Sequence, residues 1–267
     1  MNTYLFYDIE TTGLNRAFDQ VLQFSSIRTD LSLHELERHT IDVRLRPDVV
    51  PSPGAMIVNR IDISRALDGR YELEAITEIH RLFNRPGTIG LGYNTLGFDD
   101  EFLRFSFYRN LLPPYTHQYH HGCGRMDLFP ITILYYLFKP DLLKWPEKNG
   151  KPSFKLENLS ALNDLSQGPA HDAMVDTTAC LALAQRLFRQ EKMWQYVTGY
   201  FDKAMDGERI DALPVGFQSA AGPHRLGLMV NGEFGSESLF FAPVISIGQS
   251  IPYTNQTLWL RLDRPEI

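Results

Sequence analysis

The chain has 267 residues, of which 43% are hydrophobic and 22% charged. This composition is ordinary for a globular protein with one large domain or two small ones. The formal net charge of −6 argues against a protein that binds nucleic acid through an overall basic field, but not against an enzyme with local basic groups. Two cysteines, no secretory signal pattern and no apolar run of about 18 residues lead us to expect a cytoplasmic protein with no membrane partner. We also expect a monomer.

The stretch from residue 4 to residue 13 organises the chain. An apolar run typical of a buried strand leads into Asp8-Ile9-Glu10, followed by Thr11, Thr12 and Gly13. Residues two apart on a strand face the same way, so Asp8 and Glu10 project together. Two adjacent carboxylates favour a divalent cation with oxygen ligands, Mg²⁺ or Mn²⁺. The alternative is a strand end with two solvated acids.

Further strands and helices follow in chain order. Apolar patterns predict strands at residues 3–9, 20–29, 40–46 and 88–94, and helices at 62–68, 71–83, from 99 onward, and 128–138. Prolines and Gly54 break the pattern after residue 46, with no element predicted there. Three early strands in succession indicate a meander.

Two loops carry chemistry-bearing residues. Residues 115–125 contain three histidines and Cys123, but no second pair of ligands at zinc spacing, so a surface loop is favoured over a zinc site. Residues 139–155 combine five lysines with prolines and Trp145. This basic loop fits either a solvated loop or a lip that contacts phosphates.

The second half of the chain contains a long amphipathic helix and a change of character. The helix runs from Ala173 to Phe188, with His171 just before its start and Asp176 inside it. Residues 202–223 resemble a linker. From His224 the pattern consists of short strands and turns, which predicts a small β module.

Acidic residues and one histidine recur at strand ends and helix starts, where α/β folds place active sites. They are Asp8, Glu10, Asp99, His171 and Asp176. Carboxylates that hold two Mg²⁺ or Mn²⁺ ions can support phosphodiester hydrolysis, and a nearby histidine can deprotonate water. The expected reaction is therefore metal-assisted cleavage of a phosphodiester.

Three ordered motifs carry a family resemblance. Residues 8–13 (DIETTG), 94–99 (NTLGFD) and 171–176 (HDAMVD) resemble the three motifs of the DEDD 3′→5′ exonucleases. The histidine five residues before Asp176 resembles the DEDDh subgroup. Within that family the chain most resembles the bacterial exonuclease I group over residues 3–188, through segments such as 91–94, 107–110, 152–157 and 170–174, and more weakly over 230–235.

The resemblance implies a fold and a division of the chain. We expect an α/β, ribonuclease H-like exonuclease domain, with a mixed central sheet flanked by helices, over residues 1–201. A linker over 202–223 and an SH3-like β module over 224–267, expected to be incomplete, would follow. Exonuclease I has a further helical domain that this chain does not reach, which places processivity in question but not the chemistry.

The resemblance also implies roles. Asp8, Glu10 and Asp176 would hold one metal ion, Asp8 and Asp99 a second, and His171 would be the general base. Asp100 and Asp172 are interpreted as acids at helix starts. Substrate contacts are expected from Thr11, Thr12, Leu14, Phe98, Arg109, Trp145 and Lys155.

The implied activity is 3′→5′ degradation of single-stranded DNA to 5′-mononucleotides in DNA repair or recombination, and single-strand-binding protein is a partner implied only by the family. An RNA-trimming enzyme with the same site and a non-catalytic scaffold that binds single strands or a partner are the alternatives.

Overall fold

The computed structural model describes residues 2–168, 172–220, 222–253 and 256–264. Within these ranges the central sheet consists of Thr3–Thr11 (β1), Val21–Thr29 (β2), Glu35–Asp42 (β3), Thr88–Gly92 (β4) and Gly124–Asp127 (β5). The strand order is β3-β2-β1-β4-β5. β2 is antiparallel to both β1 and β3, whereas β1, β4 and β5 run parallel, so the sheet is mixed.

Helices cover both faces of this sheet. The α-helices of the described residues, in chain order, are Pro53–Asn59 (α1), Ile63–Leu67 (α2), Glu72–Phe83 (α3), Asp99–Arg109 (α4), Leu128–Phe138 (α5), Leu156–Asn163 (α6), Ala173–Phe188 (α7), Glu191–Thr198 (α8) and Lys203–Asp211 (α9). A short hairpin of Glu147–Lys148 (β6) and Lys151–Pro152 (β7) lies between α5 and α6.

The alternation of β1 sets which side chains meet which helices. Tyr4 and Phe6 belong to a core cluster with residues of α5 and α7. Leu5, Tyr7 and Ile9 point the other way, into a cluster with residues of α3 and α4. Because side chains alternate along a strand, Asp8 and Glu10 continue the row of Tyr4 and Phe6 toward α7. Burial of two apolar faces thus fixes the direction of the two acids.

A second sheet follows the α/β part. Val215–Ser219 (β8), Gly222–Val230 (β9), Phe241–Gln249 (β10) and Thr257–Arg261 (β11) form an antiparallel sheet in the order β11-β10-β9-β8. The segment between β9 and β10 returns to the first part of the molecule. Phe240 places its ring 5.2 Å from that of Phe129 and 5.7 Å from that of Phe154.

The predicted architecture, a mixed sheet with flanking helices followed by a β module, is confirmed. The third strand was placed too late, since β3 covers Glu35–Asp42. Beyond it, Val43 forms an isolated bridge to Arg70. Helix α1 was missed because Pro53 and Gly54 suggested a break, although proline is well tolerated in the first turn of a helix.

The stretch predicted as a linker, 202–223, is largely ordered into elements. Asp202 caps α9 by accepting hydrogen bonds from the backbone of Ala204 and Met205, which starts a helix there despite Gly207. Strand β8 also lies within this stretch and pairs with β9. The β module therefore gains a strand ahead of residue 224, while the division into domains stays a prediction.

The histidine-containing stretch 115–125 is not simply a surface loop. His117 is buried, and the chain enters β5 at Gly124. In the described part of the chain, no helix is long and apolar enough to cross a bilayer.

Candidate active site

Three carboxylates converge at the carboxyl end of β1. Asp8, Glu10 and Asp176 each offer an oxygen within 4.8 Å of the others. The first two arrive together because they are neighbours on one face of β1, and α7 packs across that face and carries Asp176 in its first turn. Oxygen ligands at this spacing suit a divalent cation such as Mg²⁺.

Asp99 reaches the same end of the sheet by a different route. Strands β1 and β4 are parallel, so the turn after β4 and the start of α4 lie beside the end of β1. The buried carboxylate of Asp127 holds this turn by accepting hydrogen bonds from the backbone N–H groups of Asn94 at 2.8 Å and Leu96 at 3.1 Å. Among the described residues, Asp99 lies outside the group of three, but its charge acts on both Asp8 and Glu10.

The carboxylates raise one another's proton affinity. Burial, followed by repulsion from Asp99, Glu10 and Asp176, raises the pKa of Asp8 well above its ordinary value. Burial and the charges of Asp176 and Asp99 raise the pKa of Glu10 to about 8. Burial also raises the pKa of Asp99 to about 8, against the opposing effect of backbone hydrogen bonds. A bound divalent cation would remove this repulsion, and the donor set therefore fits such an ion.

Asp100, the neighbour of Asp99, is held differently. Its carboxylate accepts hydrogen bonds from His117 Nε2 at 3.2 Å and from Arg125 Nη1 at 2.5 Å. Burial would raise the pKa of Asp100, but these two partners outweigh burial and lower it. The charge of Asp100 is thus satisfied within the protein, which favours Asp99 as the residue that faces the site.

Asp172 acts as the cap of α7. Its side chain accepts hydrogen bonds from the backbone N–H groups of Met174 at 3.0 Å and Val175 at 3.2 Å. This geometry agrees with its interpretation as a helix-start acid. His171, the predicted general base, lies outside the described residues.

A groove of about 830 Å³ opens beside the carboxylates. Asp8 and Asp176 line it together with Lys148, Lys151 and Lys155 of the predicted basic loop. Phe129, Phe154 and Phe240 add apolar surface, and Phe240 comes from the β module. In such a lining, lysines suit phosphate charge, aromatic rings suit planar bases, and carboxylates suit a metal ion.

The predicted substrate contacts near the first motif differ in exposure. Thr11 and Thr12 are buried, and their hydroxyl groups bond to Gly13 O at 2.7 Å and Asp19 Oδ1 at 3.2 Å, respectively. Leu14 is 82% exposed. The two threonines thus shape the turn, whereas Leu14 is free to touch a ligand.

The remaining predicted contacts are distributed over other elements. Phe98 packs against the core with its ring 5.2 Å from that of Phe102. Arg109 donates to Glu72 and to loop carbonyls. Trp145 donates to Pro140 O at 2.6 Å and packs edge-to-face on Tyr136.

Lys155 is the predicted contact that lines the groove, where it also lies 3.5 Å from Glu157. Roles for all these residues stay predictions.

Sequence reasoning missed several residues that shape the site. One is Asp127, which also caps α5 through a 2.9 Å hydrogen bond from Phe129 N. Its position at the carboxyl end of a strand was the available signal, but β5 is only four residues long and was not recognised. Nothing in the local sequence indicated that Phe240 would return to the groove.

The chain is similar to known proteins in sequence and in structure. A model of the exonuclease (RNase T) family matches residues 5–184. The chain is 37% identical over 206 residues to exodeoxyribonuclease I of Escherichia coli, which covers 76% of this chain and 43% of that protein.

Solved structures give the same result. The zinc-bound form of an E. coli exonuclease I complex with single-stranded DNA superposes with a TM-score of 0.87 at 31% identity, covering 98% of this chain and 55% of that one. An exonuclease I from Methylocaldum szegediense gives 0.89 at 32% identity, covering 99% and 55%.

The chain thus spans about half the length of the relatives it matches. The match to the family model nevertheless covers all of β1 from Leu5 onward, the turn that leads to Asp99, and α7 as far as Ala184. The carboxylate cluster and the elements that assemble it lie inside that match, and on this evidence the chain belongs to the exonuclease family.

Proposed function

We propose that this protein is a metal-dependent 3′→5′ exonuclease that degrades single-stranded DNA to 5′-mononucleotides. One observation carries the proposal: Asp8, Glu10 and Asp176 converge beside a groove lined by three lysines. Carboxylates supply the metal ligands, while lysines attract the phosphate backbone. Similarity to exodeoxyribonuclease I supports DNA as the substrate.

The metal is proposed to be Mg²⁺ or Mn²⁺, with two ions per site. Asp8, Glu10 and Asp176 would hold one ion, and Asp8 with Asp99 the second. When bound, two such ions stabilise charge on the attacking and leaving oxygens of a phosphodiester. Carboxylates without thiolates fit these hard cations, although the related E. coli complex was solved with zinc.

The protein's own residues have complementary tasks. Asp127 and Asp172 fix the turn and the helix that carry Asp99 and Asp176. His171 is proposed to accept a proton from the attacking water, a role suited to a side chain whose usual pKa lies near neutrality. Lys148, Lys151 and Lys155 would bind phosphates along the groove.

The direct test uses a single-stranded DNA oligonucleotide labelled at its 3′ end. With Mg²⁺, wild-type protein should release labelled mononucleotide from the first turnover, whereas Asp8→Asn, which keeps the shape of the side chain, should not. A wild-type protein that leaves the strand intact, or an Asp8→Asn variant as active as wild type, would refute the proposal.

Two rival functions are separated in the same assay. An RNA oligonucleotide of the same sequence tests the RNA-trimming alternative, which predicts faster release from RNA. A non-catalytic scaffold predicts strand binding with no metal-dependent product. Binding to single-strand-binding protein and a cytoplasmic location are further expectations, the latter consistent with two buried, unpaired cysteines.

A further inference from the structure

Residues 13–19 form a loop whose two ends are joined by hydrogen bonds between Thr12 and Gln20. Thr12 N donates to Gln20 O at 2.8 Å, and Gln20 N donates to Thr12 Oγ1 at 2.8 Å, which joins the two ends. Inside the loop, Asp19 accepts from Asn15 N at 2.7 Å and bonds to the Thr12 hydroxyl. The absence of a Cβ at Gly13 lets the Asp19 carboxylate approach closely, because a Cβ there would lie 2.4 Å from Asp19 Oδ2.

Arg109 grips the same loop from outside. Its Nη1 donates to Ala17 O at 3.2 Å, and its Nη2 donates to Asp19 O at 3.4 Å and to Glu72 at 2.7 Å. Glu72 is itself buried and also accepts from Arg46 at 3.0 Å. The guanidinium is therefore committed to the loop and to Glu72, a geometry unlike that of a side chain extended toward solvent to meet phosphate.

This loop presents two apolar side chains to solvent, next to the exposed Asn15 and Arg16. Leu14 is 82% and Phe18 is 76% exposed, although the backbone between them is hydrogen-bonded within the loop and to Arg109. The loop follows β1 directly, and its two ends meet at Thr12 and Gln20. Leu14 and Phe18 therefore lie at the end of β1 that carries the candidate metal ligands. An ordered loop with an exposed aromatic ring, at the same end of β1 as the candidate metal ligands, is suited to contact a base of an unpaired strand.

We propose that Phe18 contacts a base of the bound strand, and that Arg109, anchored by Glu72, is a positioning residue that holds the loop presenting Phe18. This inference rests on the proposed function and specifies part of its substrate site. It gives Arg109 a role different from the substrate contact that the family resemblance implied. Single-stranded nucleic acid fits because every base offers a planar face to an aromatic side chain, whatever the sequence.

Binding and turnover measurements test the role of Phe18. Affinity for a fluorescent single-stranded oligonucleotide is measured by anisotropy in EDTA, and KM and kcat are measured with Mg²⁺. Phe18→Ala should weaken binding and raise KM roughly tenfold, in keeping with the usual effect of losing one stacking contact, while kcat changes less than about twofold. The matched control is Leu36→Ala, an exposed apolar residue at the opposite end of the sheet, which should change neither.

A charge-preserving variant tests the role of Arg109. Arg109→Gln should raise KM, because the loop loses its anchor. Glu72→Gln keeps the Arg109 charge but replaces the carboxylate that anchors it, so it should raise KM as well. If Arg109 contacted a phosphate instead, Glu72→Gln would release Arg109 and KM would fall. In the Phe18→Ala background, Arg109→Gln should add little, because both changes act through one loop. The slope of log affinity against log salt should stay unchanged in Arg109→Gln; loss of a phosphate contact would lower it by about 0.7.

Three results would overturn the inference: Phe18→Ala binding as tightly as Leu36→Ala, a lowered KM in Glu72→Gln, or a reduced salt slope in Arg109→Gln. Melting temperatures of each variant establish that it is folded. Because anisotropy requires no hydrolysis, a wild-type protein that binds the strand without cutting it would contradict the proposed function while leaving this inference open to the same binding comparison.

Discussion

Buried charged side chains at the two ends of β1 have opposite surroundings. At the Thr3 end, Arg28 is 5% exposed and donates to Glu37 at 2.6 Å, to two threonine hydroxyls and to Leu82 O. At the other end, Asp8 and Glu10 lie against further carboxylates. At the first end the charges are paired within the chain, whereas at the second end buried carboxylates lie next to one another.

The acids at the two ends show the difference directly. Burial would raise the pKa of Glu37, but hydrogen bonds from Arg85 and Arg28 outweigh burial and lower it to about 2. Burial and neighbouring carboxylates raise the pKa of Glu10 to about 8. A carboxylate surrounded by arginine stabilises the fold, whereas a carboxylate surrounded by carboxylates weakens it until a cation binds.

The largest expected effect comes from changing the acids at the Asp8 end of β1. Asp8→Asn should lower kcat for single-stranded DNA by at least about a thousandfold, because several kcal/mol of charge stabilisation would be lost with the metal. Asp172→Asn is the matched control, since asparagine caps a helix as well as aspartate does. It should stay within a few fold of wild type in the same assay, and an equal loss in both variants would argue against a special role for Asp8.

Changing Arg28 at the Thr3 end of β1 should lower stability and leave the rate of DNA cleavage unchanged. Arg28→Met would leave several buried acceptors without their hydrogen-bond donor. We therefore expect the free energy of unfolding to fall by about 3 kcal/mol. Urea unfolding followed by circular dichroism measures this change. Arg65→Met, which breaks an exposed pair with Asp42, should cost less than about 1 kcal/mol. Similar losses for the two variants would show that the buried Arg28 contacts contribute no more stability than an exposed ion pair.

A smaller effect concerns pH. The folded chain keeps protons on Glu10 and Asp99 up to about pH 8, whereas the unfolded chain releases them near their ordinary values of 4.5 and 3.8. The folded state therefore binds more protons in this window, and the stability of metal-free protein should fall as pH rises from about 4.5 to 8.

Thermal melts in EDTA at successive pH values measure this decline. Asp8→Asn should flatten it, because one of the repelling charges is gone. Added Mg²⁺ should raise the melting temperature more at pH 8 than at pH 5, since metal ligands must be deprotonated. A metal-free protein whose stability increases through this window would show that the acids at this end do not repel one another as described.

Local sequence was sufficient for some parts of the fold and site. The two-residue spacing of Asp8 and Glu10 predicted their common direction, and the apolar period predicted α7 with the bounds that the structure shows. Both depend on residues close together in the chain, where periodicity alone determines which side is buried.

Other parts depended on distant partners. Arg28 meets Thr88, 60 residues away, and Arg109 meets Ala17, 92 residues away. Neither pairing has a local signature, so the sequence could mark Arg109 as basic without showing what it holds. Helix α9 and strand β8 were hidden for a related reason, since the exposed faces of both resemble linker composition.

We propose that the end of β1 is a metal site in which Asp8 is shared between two ions. Titration of metal-free protein with Mn²⁺, with free ion followed by electron paramagnetic resonance, tests it without any substrate. We expect two bound Mn²⁺ per wild-type chain and at least about tenfold weaker binding of both in Asp8→Asn. Wild-type protein that binds no Mn²⁺, or an Asp8→Asn variant that binds it as wild type does, would contradict a metal site that depends on Asp8.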